Sequence, residues 1–263
     1  MRYLFGSRSN LENFIRDKEI ILFLDYDGTL TNIAKTPQEA VLSKKVKSIL
    51  KSLVSGLNYK IVIISGRSLN DIIKIIGLKG IIYVGNHGLQ IKGPGIRFLV
   101  HISQGYRRLL KVIKKKLNDE LSLYKGVLIE NKDFILSLHY RLVNKKYIKK
   151  IKNIFYSITK KYLLRHKIKL KEGKMVLEIR PSLNWNKGKA VLWLLSKKFK
   201  EKGIFPIYIG DDKTDEDAFK ILRMRGLTIF VGKPKESSAQ YYVRDVNEVT
   251  LFLNYLLKIK NNV

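Results

Sequence analysis

The stretch Asp25-Tyr26-Asp27-Gly28-Thr29-Leu30 places two carboxylates two positions apart, directly behind the apolar run of residues 20–24. At the carboxyl end of a strand such a pair can converge on one ligand, one carboxylate attacking as a nucleophile and the other moving a proton. Gly28 lets the backbone turn sharply around an anion, although Asp-x-Asp-Gly alone also reads as a common turn. A second piece, Ser65-Gly66-Arg67, ends the apolar run 61–64 and precedes Ser68 at a helix start. A hydroxyl, an exposed N–H and a guanidinium beside a helix N-terminus suit a phosphate group; an ordinary strand-to-helix turn carries the same residues. The third piece, Asn186-Lys187-Gly188-Lys189, opens a helix running through Trp193 and offers Lys187 as a point charge for phosphate. The fourth is Gly210-Asp211-Asp212-Lys213-Thr214-Asp215-Glu216-Asp217, a gathering of carboxylates in a chain with only 22 acids. Their mutual repulsion asks for a cation, and hard oxygens of this kind suit Mg²⁺. Glu216 and Asp217 are explained by the dipole of the helix they open, whereas Asp211 and Asp212 precede that helix.

These pieces need a scaffold that brings distant segments to one place. Five short apolar runs, at 20–24, 61–64, 81–84, 207–209 and 228–231, alternate for the most part with helical patterns. Continuous apolarity predicts strands covered on both faces, so the expected fold is α/β with a doubly wound parallel sheet. Ser68 with Asp71, Thr214 with Asp217, and Asp245 with Glu248 are expected helix N-caps, and Gly77 is an expected stop. Residues 99–181 read differently: a basic amphipathic helix over 104–121, strands over 126–130 and 134–140, a helix over 145–164, and strands over 167–171 and 175–179. Helix, hairpin, helix, hairpin predicts an antiparallel sheet with helices on one face. The expected organisation is a core of residues 1–98 and 182–263 interrupted by an inserted α+β domain, 99–181. Within the last strand, Lys174 and Glu178 are expected to share a face by the two-residue alternation.

The chain has 263 residues, with 52 Lys and Arg against 22 Asp and Glu, a formal net charge of +30. That balance suits anionic partners such as phosphate esters, nucleic acid or an acidic membrane surface. The basic residues are spread along the whole chain, with neither a nucleic-acid motif nor a clustered stacking platform, which argues against a nucleic-acid-binding protein. The absence of cysteine excludes disulfides, thiolate catalysis and Cys-ligated metal sites. No apolar run approaches the ~18 residues of a membrane span, and the first residues lack the ~7–15-residue apolar core of a secretory signal. A cytoplasmic location is therefore expected.

Taken together and in this order, the four pieces resemble the haloacid dehalogenase superfamily of aspartate-nucleophile phosphohydrolases. Further matches narrow the resemblance to its trehalose-6-phosphate phosphatases: Gly85-Asn86-His87-Gly88, Glu130 with Lys132, His139-Tyr140-Arg141, Gly173 through Pro181, and Tyr241-Tyr242-Val243-Arg244-Asp245. The resemblance runs from Asp25 to the C-terminal helix; Gln90 departs from it, standing where many members carry an acid. It implies that Asp25 attacks phosphorus to form an aspartyl-phosphate, while Asp27 protonates the leaving sugar oxygen and later activates water. It implies Mg²⁺ held by the Asp25 side chain, the Asp27 carbonyl and Asp211, with Asp212 and Asp215 outside or through water. Ser65, Gly66 and Lys187 would grip the phosphoryl oxygens and Arg67 would border the leaving group. In the insert, Glu130, Lys132, Arg141, Lys174 and Glu178 would hold sugar hydroxyls, although as bare residues they also read as a cross-strand charge network. The implied substrate is trehalose 6-phosphate, in trehalose biosynthesis, with a functional pairing to a trehalose-6-phosphate synthase and neither membrane nor nucleic acid as partner. The alternative is a related phosphatase of sucrose 6-phosphate or a glycosyl-phosphoglycerate.

Overall fold

The computed structural model describes residues 1–7, 12, 15, 17–56, 58–199, 203–234 and 236–261. They form two compact units, Met1–Leu99 with Trp185–Val263, and Val100–Asn184. Leu99 thus falls in the first unit and residues 182–184 in the second, a shift of one to three residues from the bounds read in the sequence.

The first unit is built on a nine-stranded sheet. In chain order its strands are β1 (Arg2–Tyr3), β2 (Glu19–Asp25), β3 (Tyr59–Ile64), β4 (Ile82–Gly85), β5 (Gln90–Gly93) and β6 (Ile96–Leu99). After the second unit, whose strands are numbered β7 to β10 below, come β11 (Ile204–Gly210), β12 (Leu227–Val231) and β13 (Tyr241–Val243). The spatial order is β1-β13-β12-β11-β2-β3-β4-β5-β6. Pairing is parallel from β1 to β4, with Leu22 set between Ile61 and Ile207 at the centre. All five apolar runs are strands of this sheet.

Both faces are covered. Ile20, Leu22 and Leu24 pack with Leu50 and Leu53 of α1 (Lys44–Ser55), Ile72 and Ile76 of α2 (Leu69–Ile76), and Phe252 and Leu256 of the C-terminal helix Val246–Asn261. Ile21, Phe23, Val62 and Ile64 pack with Ala190, Val191 and Leu194 of the helix Lys187–Lys197 and with Phe219 and Leu222 of the helix Glu216–Leu222. Each such side chain taken wholly out of water contributes roughly 1.5–3 kcal/mol.

Strands β5 and β6 pair antiparallel, with Gly93 opposite Ile96. Pro94 and Gly95, the latter at φ +62°, form the turn between them. The Pro94 region is therefore a hairpin inside the first unit. Helix starts follow the sequence in two cases: Ser68 accepts from the Asp71 N–H and Asp245 from the Glu248 N–H. Gly77 stops α2 in the left-handed region, φ 60°. Thr214 is not a cap. The helix begins one residue later, with Asp215 at its N-cap position and the Asp215 carboxylate engaged elsewhere.

The second unit holds α3 (Gln104–Leu121), β7 (Leu128–Asn131), β8 (Leu136–His139), α4 (Lys145–Leu164), β9 (Ile168–Gly173) and β10 (Val176–Pro181), its sheet ordered β7-β8-β10-β9 and antiparallel throughout. Leu138, Leu177 and Ile179 are buried on one side of this sheet. Glu130, Ser137, Glu178 and Lys171 sit opposite one another across the four strands, so they share the other face. Among the described residues no helix is long and apolar enough to cross a membrane.

In the first unit the helices after these strands are numbered α5 (Lys187–Lys197), α6 (Glu216–Leu222) and α7 (Val246–Asn261).

Candidate active site

Because β2, β3 and β11 run parallel, their last residues reach one edge of the sheet together, and three of the four sequence pieces follow those ends. Asp25 closes β2 and is buried. Asn186 caps α5 by accepting from the Lys189 N–H at 2.9 Å, which fixes the turn presenting Lys187. The Lys187 ammonium, itself buried, donates to Asp25 Oδ1 at 2.6 Å and to Asp215 Oδ1 at 2.8 Å.

Asp215 is fully buried and anchors its own loop: Oδ1 also accepts from the Tyr208 hydroxyl at 2.7 Å, and Oδ2 from the N–H groups of Asp211 at 3.1 Å and Asp212 at 3.0 Å. Four donors on one carboxylate hold the chain carrying Asp211 and Asp212 in place. Thr29, also buried, donates to Asp25 Oδ2 at 3.3 Å. The sequence reading assigned nothing to Thr29 or Tyr208. Tyr208 had a legible signal, a hydroxyl in an otherwise apolar strand two residues before Gly210, and hence on the same side of β11.

Asp25, Asp211 and Asp215 each offer a carboxylate oxygen, and these atoms lie within 4.8 Å of one another. Burial pushes the Asp25 carboxyl well above the usual carboxylate range, with Asp215 and Asp211 adding to the rise and Lys187 opposing it. Desolvation works against the Lys187 ammonium too, but Asp215 and Asp25 outweigh it and hold that amine protonated. Three carboxylates against one ammonium leave the cluster short of positive charge, and its donors are hard oxygens. Both properties fit a divalent cation. The loops after β2 and β11 are in close contact: Gly28 has φ +92°, and a Cβ on it would lie 2.2 Å from Asp211 Oδ2.

Beside this cluster, Asp27 is held by Arg67, whose Nε donates to Oδ2 at 2.8 Å and Nη2 to Oδ1 at 2.7 Å. Ser65 is buried and its Oγ accepts from the Arg67 N–H at 3.1 Å. Gly66 packs against the His87 imidazole, where a Cβ would come within 2.5 Å of a ring carbon. The Asn86 and His87 N–H groups donate to the carbonyls of Arg67 and Ser65 at 2.7 and 3.0 Å, so the loop after β4 braces the loop after β3. That loop runs through positive φ at Asn86, His87 and Gly88, and Asn86 donates to Gln90 at 2.7 Å. Asp212 is half-buried, its Oδ1 accepting from the Lys213 N–H at 2.6 Å.

In the second unit, the Lys132 side chain is 8% exposed and its ammonium stands 3.6 Å from both Glu130 and Glu178. Ser137 donates to Glu178 Oε1 at 3.1 Å, Arg180 Nε donates to Glu178 Oε2 at 3.0 Å, and a His139 ring nitrogen lies 3.1 Å from Glu130. Ser137, His139 and Arg180 carried no assigned role in the sequence reading. Lys174 does not share the strand: Gly173 pairs with Val176, so Lys174 and Met175 form the hairpin turn, Met175 at φ +65°. The expected shared face of Lys174 and Glu178 is therefore wrong. Lys174 is joined to Arg141, whose guanidinium donates to the Lys174 carbonyl at 2.8 Å.

The family model described as Trehalose-phosphatase matches residues 23–247. Trehalose-phosphate phosphatase B of Arabidopsis thaliana is 35% identical over 262 residues, an alignment covering 94% of this chain and 69% of that protein. Among solved structures, the C-terminal domain of a trehalose-6-phosphate phosphatase from C. albicans superposes with a TM-score of 0.82 at 25% identity, covering 98% of each chain. A haloacid dehalogenase-like hydrolase from B. subtilis, at 15% identity, TM-score 0.59 and coverage of 90% of this chain and 99% of its own, shares the fold. A parallel sheet that carries acidic loops on its carboxyl edge, matched over most of its length by these proteins, makes this chain a member of the trehalose-phosphatase family of phosphoric monoester hydrolases.

Proposed function

We propose that this chain hydrolyses trehalose 6-phosphate to trehalose and phosphate with Mg²⁺, and that the phosphoryl group passes through Asp25. The observation carrying this reading is the buried cluster in which one ammonium, Lys187, joins Asp25 to Asp215 beside Asp211.

Asp25 Oδ2, touched only lightly by Thr29, is the attacking oxygen; the lone pair goes to phosphorus as the bond to the sugar oxygen breaks. Lys187 orients Asp25 and draws the incoming phosphoryl oxygens, with Ser65 and the Gly66 N–H as neutral donors. Asp27 gives the leaving oxygen its proton and then takes one from the water that releases phosphate from Asp25. Mg²⁺ would be held by the Asp25 carboxylate, the Asp27 carbonyl and Asp211, with Asp212 and Asp215 organising that loop from behind. When bound, the ion supplies polarisation of a phosphoryl oxygen and offsets the excess negative charge. Glu130, Lys132, Glu178, Arg141 and Lys174 bind sugar hydroxyls; ionised groups already ordered by one another lose little freedom on taking a polyol.

Initial rates on trehalose 6-phosphate, sucrose 6-phosphate, a glycosyl-phosphoglycerate and p-nitrophenyl phosphate test this reading. Trehalose 6-phosphate should be fastest, with activity lost in chelator, restored by Mg²⁺ and poorly supported by Ca²⁺. Full activity in excess chelator would overturn the metal assignment, and a faster rival sugar phosphate the substrate.

A further inference from the structure

We propose that Arg67 serves the reaction through Asp27, as the residue that fixes the orientation of that carboxylate, and not by touching the substrate. The inference rests on the reading of Asp27 as the proton donor.

The guanidinium meets Asp27 along one edge, Nε on Oδ2 at 2.8 Å and Nη2 on Oδ1 at 2.7 Å. Two parallel bonds to two oxygens set the plane of the carboxylate, which a single bond cannot do. The opposite side of the fork is also taken: Nη1 donates to Asp71 Oδ2 at 3.3 Å, from the first turn of α2. Beneath the fork lies the Tyr26 ring, its centroid 5.2 Å from the guanidinium carbon. The Arg67 backbone is tied at both ends, its N–H to Ser65 Oγ and its carbonyl to the Asn86 N–H. The burial is asymmetric: the Arg67 side chain is 6% exposed, whereas those of Asp27 and Asp71 are each 39% exposed. The arginine is thus the fixed inner partner and Asp27 the outer group that can reach a substrate.

Such a clasp is compatible with acid and base work. Each carboxylate oxygen has two lone-pair directions, so the fork leaves one per oxygen for the leaving group or for water. Without the fork, the carboxylate turns about its last torsion, and the productive orientation becomes one of many. Misplacement of a reacting group by about 1 Å can cost ~10²-fold in rate.

The test compares Arg67→Met, Arg67→Lys, Asp71→Asn, Asp27→Asn and the double variant Asp27→Asn/Arg67→Met, each checked by thermal melting. Steady-state kcat and KM are measured on trehalose 6-phosphate and on p-nitrophenyl phosphate, whose leaving group needs little proton assistance. Arg67→Met should lower kcat on the sugar ester about 10²-fold with KM little changed, and affect the aryl ester far less. Arg67→Lys should not restore the rate, because an ammonium cannot hold both oxygens in one plane. The double variant should be no slower than Asp27→Asn alone. A raised KM at unchanged kcat, rescue by lysine, or multiplying losses in the double variant would each overturn the proposal. Should Arg67→Met fail to fold, Asp71→Asn loosens the same fork, and its expected loss is smaller but equally confined to kcat on the sugar ester. An Asp27→Asn variant that slows both substrates equally would remove the proton-donor reading itself, and the inference with it.

Discussion

Asp215 spends its two carboxylate oxygens on four donors, which hold the loop that brings Asp211 to Asp25. The tightness of that arrangement makes Gly28 a sharp probe. Gly28→Ala adds a Cβ that meets Asp211 at 2.2 Å in a backbone conformation that alanine resists. The expected result is a chain that still folds but whose Mg²⁺ requirement for half-maximal rate rises by about 10- to 100-fold, read from a metal titration of activity. An unchanged titration would separate Asp211 from the metal. In the second unit, Glu178→Gln keeps the shape and the bond from Ser137 while removing the charge shared with Lys132 and Arg180. Bonds to a charged partner are worth roughly 1.5–3 kcal/mol, so efficiency on trehalose 6-phosphate should fall about tenfold to a hundredfold with p-nitrophenyl phosphate spared. Parallel losses on both substrates would mark Glu178 as structural. The site candidates legible in the sequence sit in short local motifs, Asp25, Asp27, Ser65 and Asp211 at strand ends and Lys187 at a helix start. Tyr208 and Thr29 were missed because one reads as part of an apolar strand and the other as part of a turn. The Arg67–Asp27 pairing spans 40 positions, and no local pattern encodes a partner so far away.

Elements were readable to the extent that their periodicity was strong. Helices α3 and α4 occupy the residues expected, because apolar positions such as Tyr106, Leu110, Ile113 and Leu117 recur every three or four residues over a long span. Strands β5 and β6 went unread: four residues each with mixed burial, joined by Pro94-Gly95, present too short a pattern. Thr214 misled for a different reason, since the acid three residues on is a helix-start signature, whereas the structure gives the start to Asp215. The caps that do exist can be told apart by what they support. Ser43 caps α1 by accepting from the Val46 N–H, and Asn186 caps α5 directly before Lys187. Ser43→Ala and Asn186→Ala should each cost about 0.5–2 kcal/mol of stability in urea titrations. Only Asn186→Ala should also lower kcat, because it frees the turn that aims the ammonium at Asp25; equal kcat in both would disconnect the cap from the site.

At the scale of the molecule the dominant property is the formal net charge of +30, with helix α4 contributing seven lysines and no acid. Like charges held at folded-state distances repel, and screening relieves them. The melting temperature should therefore rise as salt increases from ~0.01 to ~0.3 M; a fall would mean that ion pairs outweigh repulsion. The sheet order has a separate consequence, one of timing. Strand β2 lies between β3 and β11, and β11 begins at Ile204, on the far side of the whole second unit. On a ribosome adding ~5–20 residues per second, the first 99 residues emerge about 5–20 s before β11 exists. During that interval one edge of β2 has no strand to pair with, while the residues of the second unit have all their own strand partners as soon as they are made. A nascent chain stalled before Ile204 would thus present Glu19–Asp25, six of its seven residues buried in the finished fold, as an open and adhesive edge. The two-residue β1 waits longer still, for β13, but among the long buried strands the one that ends in Asp25 is the one whose safe completion depends on residues made so much later.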